Sequence, residues 1–313
     1  MKNLGLQLAI SGNTYYLLLM DLLFAVIEIC APVFLLTLLG LCWARAGHAY
    51  NIELITKLVM DLAIPCLIFI SLMQTEISSE ILTKIFFATV SVLTTITVSI
   101  FSAVKILRLN FQTFFSPLIF ANSANLGIPI CLFAFGTPGF EYAIFIFSIM
   151  AVYSMTFGVW VVSGGGSPIK LLKEPLVLSV FLGMIFLFRD WQTPDFLTNT
   201  MTLIGQIAIP LMLLTLGVTI GNLRRPKLIK LIFPSILKFL ICLACGLLTV
   251  FAFDLDKIPA AALIIQVTMP VAVSSYMLAE KYNTDPETVA ALVIVSTIIA
   301  VFYIPLTLAF ILF

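Results

Sequence analysis

Ten apolar stretches run through the chain, at 23–44, 55–73, 85–104, 114–135, 142–162, 175–188, 197–220, 231–253, 258–279 and 289–313. Most are near the length of about 20 residues that a helix needs to cross a bilayer. Lipid cannot hydrogen-bond a peptide group, so each stretch must satisfy its own backbone as a helix. The composition agrees. Of 313 residues, 62% are hydrophobic and 10% charged, and the mean hydropathy is +1.19. Soluble domains carry about 25% charged residues. The expectation is an all-α membrane protein with ten transmembrane helices. The sixth stretch is short and should either borrow residues from the preceding "IKLLKE" or lie where the membrane is locally thin. Residues 1–22 read as a separate amphipathic N-terminal segment. There Lys2 precedes a polar "SGNTYY" rather than the clean apolar core of a signal peptide.

The connections set an orientation. Those after odd-numbered stretches hold Arg45, Lys105, Arg108, Lys170, Lys173, Arg224, Arg225, Lys227, Lys230 and Lys281. Those after even-numbered stretches hold only Lys84, Arg189 and Lys257. Basic loops stay in the cytoplasm. The expected topology is a multi-pass protein of the cell (inner or plasma) membrane with both termini on the outer side.

The two halves echo each other. "LVMDLAIPCLI" (58–68) resembles "LIGQIAIPLML" (203–213), with Leu, Ala, Ile and Pro coinciding. "NLGIP" (125–129) aligns with "QVTMP" (266–270), carboxamide on carboxamide and proline on proline. Five helices separate the copies, and an odd number inverts topology. The predicted organisation is a first five-helix repeat at 23–162, a cytoplasmic joint at 163–174 around "SGGGSP", and a second, inverted repeat at 175–313.

Polar residues interrupt the fourth stretch, "IFANSANLGIPICLFAF" (119–135). Proline removes a backbone donor and clashes with the preceding turn, so Gly127 and Pro129 predict a break there. Pro270 predicts a matching break in the ninth stretch. Carriers built from inverted repeats bind their cargo where such discontinuous helices meet, and the N-terminal end of a broken helix attracts anions. The candidate binding residues are Asn122, Ser123, Asn125, Gly127, Pro129, Gln266, Thr268, Met269, Pro270, Ser274 and Ser275. The alternative is two kinked packing helices with Asn and Ser as interhelical glue.

"NSANLGIP" is similar to the N-[ST]-[GA]-x-x-G-x-P signature in the fourth helix of the auxin efflux carrier family, and "MPVAVSSYMLAEKY" (269–282) resembles its ninth-helix signature. "LVMDLAIPCLIF" and "IAIPLMLLTLGVTI" resemble its second and seventh helices. The resemblance spans roughly residues 23–313. It implies ten helices, outward termini, two crossed broken helices, and an elevator motion of a core (helices three to five and eight to ten) against a scaffold. It also implies a small carboxylate substrate such as malonate, malate or an auxin-like acid. Many members have Asn where Ser275 stands here. The short connection between the fifth and sixth stretches fits the bacterial permease branch.

Ionisable residues at membrane depth are functional candidates. Asp61, just before Pro65, is the candidate for coupling a proton or sodium; otherwise it is hydrogen-bonded near the cytoplasmic edge. Lys238 is read as snorkelling to the interface, with a charge-balancing role toward a carboxylate as the other option. Glu28 and Glu141 read as solvated, and Tyr303 and Pro305 as structural. Cys242 and Cys245 form a C-x-x-C inside an apolar stretch and read as packing residues. The one histidine, His48, lies in a polar turn, so no metal cluster, cofactor site or histidine-based catalytic dyad is expected at depth. The net charge of +1 suggests no nucleic-acid partner. A homodimer stays open. The expectation is therefore a secondary active carrier and not an enzyme; the alternative is an anion channel or an uncoupled uniporter.

Overall fold

The computed structural model describes residues 29, 31–164, 174–222 and 228–312, with backbone alone at 222, 277, 280 and 312. The expected N-terminal segment 1–22, Glu28, Cys30, most of the 163–174 joint with Lys170 and Lys173, and the basic Arg224, Arg225 and Lys227 lie outside the described residues.

The described chain is helical throughout. It comprises α1 (Ala31–Arg45), α2 (Ile52–Met73), α3 (Ser79–Ile106), α4 (Phe111–Ile119), α5 (Ser123–Val162), α6 (Pro175–Arg189), α7 (Asp195–Gly221), α8 (Ile229–Phe253), α9 (Lys257–Thr268), α10 (Val273–Tyr282) and α11 (Pro286–Leu312). Six of these, α2, α3, α5, α7, α8 and α11, are long and apolar enough to cross a membrane; α1, α6 and α9 are apolar but shorter. The protein is thus a multi-pass helical membrane protein.

Local chemistry sets the helix ends. Asn51, Ser78 and Asn110 each cap a following helix by accepting a backbone N–H three residues on, from Leu54, Ile81 and Thr113. Pro175 opens α6 behind an extended Glu174. The sixth stretch therefore does not borrow Glu174, and it stays short. Asp190 and Asp254 close α6 and α8 in the left-handed conformation. Lys84 reaches across from α3 to the Asp254 carbonyl at 2.5 Å.

α5 is not one rod. Ser123 and Met150 would lie about 40 Å apart along a straight helix, yet Ser123 Oγ is 3.8 Å from Met150 Sδ. The chain reverses at Gly136, whose φ of 64° suits glycine and whose successor but one is Pro138. α5 therefore has two arms, 123–135 and 137–162. Glu141, near the turn, is not merely solvated: it accepts a hydrogen bond from Thr75 at 2.8 Å.

Packing falls into two groups. α2 packs on α6 and on α7. α1 joins this group by backbone contact with α7: a Cβ at Gly217 would stand 1.8 Å from the Thr37 carbonyl oxygen, so only glycine permits the approach. The other group gathers α3, α4, both arms of α5, α8, α9, α10 and α11, with α9 against α5 and α8 against α3, α9 and α11. Its core holds Ile85, Ile96, Ile100, Ile128, Ile144 and Leu263, all essentially inaccessible.

Candidate functional site

The two groups meet around two interrupted helices. α4 ends at Ile119, and Phe120 is extended (φ −86°, ψ 122°) before α5 begins at Ser123. α9 ends at Thr268, and Met269 (φ −54°, ψ 152°) starts a second extended link to α10. The two links cross as an antiparallel bridge between Ala121 and Val271. Asn122 N–H donates to the Pro270 carbonyl at 2.7 Å, and Ala272 N–H donates to the Phe120 carbonyl at 3.2 Å.

The expectation that Gly127 and Pro129 break the fourth stretch needs correction. The break lies at Phe120–Asn122, and Pro129 sits seven residues beyond Asn122, inside the first arm. What Pro129 causes is a wider turn. It has no N–H to offer, and just before it Ile128 N–H reaches back five residues to the Ser123 carbonyl. The same device precedes Pro65 in α2, where Ile64 N–H bonds the Val59 carbonyl. Gly127 serves close packing, since a Cβ there would stand 2.8 Å from Gln266 Oε1.

The carbonyl ends of the broken helix α9 are capped from within the protein. Tyr303 OH donates to the Thr268 carbonyl at 2.9 Å, Lys238 Nζ to the Met269 carbonyl at 2.7 Å, and Ser123 Oγ to the Gln266 carbonyl at 2.9 Å. Val271 N–H donates to Ser296 Oγ at 3.0 Å. Lys238 is only 1% exposed, so it does not snorkel. Its ammonium stays at the crossing because a helix carboxyl end offers it a partial negative charge.

The N-terminal ends are left open. The first N–H groups of α5 and α10 have no acceptor within their own helices. Ser123, Ala124 and Asn125 on one side and Ala272, Val273 and Ser274 on the other line a single cavity of about 80 Å³. Asn122 also lines it; this side chain is 4% exposed, and its Nδ2 has no acceptor among the described residues. The opposite wall comes from the other packing group: Thr56, Val59 and Met60 of α2, Leu176 of α6, and Met212, Thr215 and Leu216 of α7. Tyr50 OH and Thr215 Oγ1 lie 2.7 Å apart. No wall residue is charged. Two half-helix N-termini and a buried unspent amide donor make a pocket suited to an acceptor-rich, negatively charged guest of a few heavy atoms.

Of the residues singled out from the sequence, the structure brings Asn122, Ser123, Asn125 and Ser274 to the cavity wall. Pro270 holds the crossing through its carbonyl, and Met269 through Lys238. Gln266, fully buried, spans the hairpin: its Nε2 lies 3.4 Å from the Ala143 carbonyl, while its Oε1 is unpaired among the described residues. Thr268 spends its hydroxyl on the Ile264 carbonyl of its own helix at 2.7 Å. Ser275 is buried, with its N–H on the Ala272 carbonyl. Gln266, Thr268, Ser275, Gly127 and Pro129 are off the wall. Asp61 is exposed on the wide turn of α2, and its neighbours Val59 and Met60, not Asp61 itself, face the cavity. The α2 and α7 wall, and Met150, Ser154 and Met155 of α5, carry no sequence signal, because Met and Thr in an apolar helix look like ordinary packing.

The chain matches the family described as "Membrane transport protein" over residues 25–167 and 159–308. It is 22% identical over 274 residues to an uncharacterized transporter of Methanocaldococcus jannaschii, covering 81% of this chain and 88% of that protein. It is 26% identical over 194 residues to an uncharacterized transporter of Methanothermobacter thermautotrophicus, covering 59% of this chain and 63% of that one. With the family match running over nearly its whole length, the chain belongs to the membrane transport protein family, that of the auxin efflux carriers.

Proposed function

We propose that this protein is a secondary carrier for a small organic anion, a carboxylate of malonate or malate size or an auxin-like acid. It would work as two inverted five-helix repeats, 23–162 and 175–313, in the cell membrane with both termini outside. The observation that carries the reading is the asymmetry of the crossing. The carbonyl ends of α9 are capped by Tyr303 and Lys238, while the N–H ends of α5 and α10 open onto the cavity. A guest there meets the Asn122 amide donor and the first N–H groups of both half-helices.

The cavity lies between the two packing groups, and this supports an elevator. The group holding both broken helices carries Asn122, Ser123, Asn125 and Ser274, and it would slide past the wall of α2, α6 and α7. The facing residues Val59, Met60, Leu176, Met212 and Leu216 are apolar, and the unbranched Met60 and Met212 can repack to let it pass. Asn122 and Ser274 would hydrogen-bond the carboxylate directly, and the first N–H groups of α5 and α10 would share its charge. Pro129, Gln266, Thr268, Met269, Pro270 and Ser275 would shape the crossing without touching the guest. A proton or sodium ion coupled through Asp61 would act by way of the turn it shares with Val59 and Met60.

The deciding experiment is counterflow in liposomes preloaded with unlabelled malonate, malate or indole-3-acetate. Saturable uptake of the labelled acid, accelerated by the preload, is the expected result. Fast, non-saturating flux without counterflow would make the protein a channel. For orientation, a cysteine placed at Arg108 should escape an impermeant reagent in intact cells; labelling there would invert the topology.

A further inference from the structure

α9 ends at the crossing with its carbonyls converging on the link to α10, and the charged group that meets them is a buried lysine, on the Met269 carbonyl. Lys238 of α8 is the largest fully buried side chain among the described residues, and its Nζ donates to the Met269 carbonyl at 2.7 Å. The titratable groups around it are Cys242, whose Sγ is 4.0 Å from Nζ, Cys245 on the same helix, and Tyr303 of α11, whose ring stacks on Phe239 at 4.0 Å. The charged residues of the helices packed on α8 lie at helix ends: Glu80, Lys84 and Lys105 on α3, Lys257 on α9 and Glu287 on α11. Among the described residues no carboxylate faces Lys238.

An ammonium taken out of water without a carboxylate is costly. The carboxyl end of a helix is one of the few buried places that favours a cation. In carriers built on broken helices, unwound carbonyls and half-helix carboxyl ends are also where a coupling cation is held. We propose that Lys238 is that cation, built into the chain. Its ammonium stands where a co-transported sodium ion would otherwise bind, so the crossing works without sodium and keeps a positive charge behind the anion site. The proposal rests on the anion-carrier reading above.

The charge is close enough to matter. Met269 adjoins Pro270, whose carbonyl holds Asn122 N–H at the cavity wall. Lys238 Nζ therefore lies within roughly 10 Å of the wall. At that separation in protein, one unit charge changes the affinity for an anion by about tenfold.

Two measurements on the purified full-length protein test this. The first needs no substrate: melting temperature in sodium, potassium and choline chloride at equal ionic strength. No sodium-specific rise, or one that Asp61→Asn abolishes, supports the proposal; a sodium-specific rise that persists in Asp61→Asn overturns it. The second compares potassium malonate affinity in the wild type, Lys238→Gln and Lys238→Arg. Glutamine keeps a donor for the Met269 carbonyl and removes the charge; arginine keeps the charge. The expectation is about a tenfold weaker affinity in Lys238→Gln and near-wild-type affinity in Lys238→Arg. Wild-type affinity in Lys238→Gln, or equal losses in both variants, overturns the charge role. If the wild type binds neither malonate nor any other carboxylate, the anion-carrier reading falls. The salt comparison, which also stands if Lys238→Gln does not fold, still decides whether the crossing takes sodium.

Discussion

The two breaks that cross at the centre of this protein are made differently. The link from α9 to α10 contains a proline, Pro270, and its carbonyls are held by long side chains from other helices, Lys238 and Tyr303. The link from α4 to α5 contains no proline. Its Phe120 carbonyl and Asn122 N–H are satisfied by the backbone of the other link. One break is written in its own sequence and braced from outside, whereas the other exists because its partner supplies the hydrogen bonds. An extended link in a bilayer persists only where protein meets its backbone groups. The first link should therefore depend on the second more than the second depends on the first.

The largest effect should come from Pro270→Ala. Alanine restores a donor and removes the ring clash, so α9 can run toward α10. That would withdraw the Pro270 carbonyl from Asn122 and undo both links. Transport should fall more than about tenfold while the melting temperature holds or rises, since the continuous helix that alanine permits closes its own backbone hydrogen bonds. Pro129→Ala lies within an already helical arm and should keep transport near the wild-type level, again without loss of stability. Uptake and melting temperature on the same samples check this; equal transport losses in the two variants would erase the difference between the breaks.

Next comes a pair of carboxamides. Asn122→Ala removes a donor at the cavity wall and should weaken carboxylate affinity by about ten- to a hundredfold, matching the 1.5–3 kcal/mol of a hydrogen bond to a charged group, with folding intact. Gln266→Ala should do the opposite: lose about 1–3 kcal/mol of stability from an emptied, fully buried site and keep affinity per folded molecule. Binding isotherms and denaturation curves separate the two. Intact affinity in Asn122→Ala would return that residue to interhelical glue.

A smaller change is expected from Tyr303→Phe, which leaves the Thr268 carbonyl without its hydroxyl donor and should cost about 1–3 kcal/mol, seen as a lower melting temperature. No loss would show that the second link does not need its external brace. Asp61→Asn should be smallest. Its side chain is off the cavity wall, so exchange of substrate should be unchanged. If gradient-driven accumulation alone disappears, Asp61 carries the coupling ion.

Much of this molecule follows from local chemistry and is legible in the chain. Apolar stretches of spanning length force helices in lipid, Asn51, Ser78 and Asn110 mark helix starts, and Pro270 marks a break. Asn122, Ser123, Asn125 and Ser274 stood out because polar side chains at membrane depth need a partner or a purpose. The carboxamide at 266 stood out for the same reason, yet burial at Gly127 and Ala143 keeps it off the cavity wall. The wide turn before Pro129 shows the limit of such local reading. A proline in a helix must be accommodated, but a reach-back of five residues relieves it as well as a break does.

By itself, the sequence determined the helical class, the membrane setting and the polar identity of one cavity wall, because these depend on each residue's own transfer energy and backbone chemistry. Only the tertiary structure decided where the first break falls, that Lys238 is buried on the Met269 carbonyl rather than snorkelled, and that Met60, Met212 and Thr215 complete the cavity. Each of these rests on a hydrogen bond or packing contact between residues far apart in the chain. Such a partnership has no spacing or periodicity along the sequence by which it could be read.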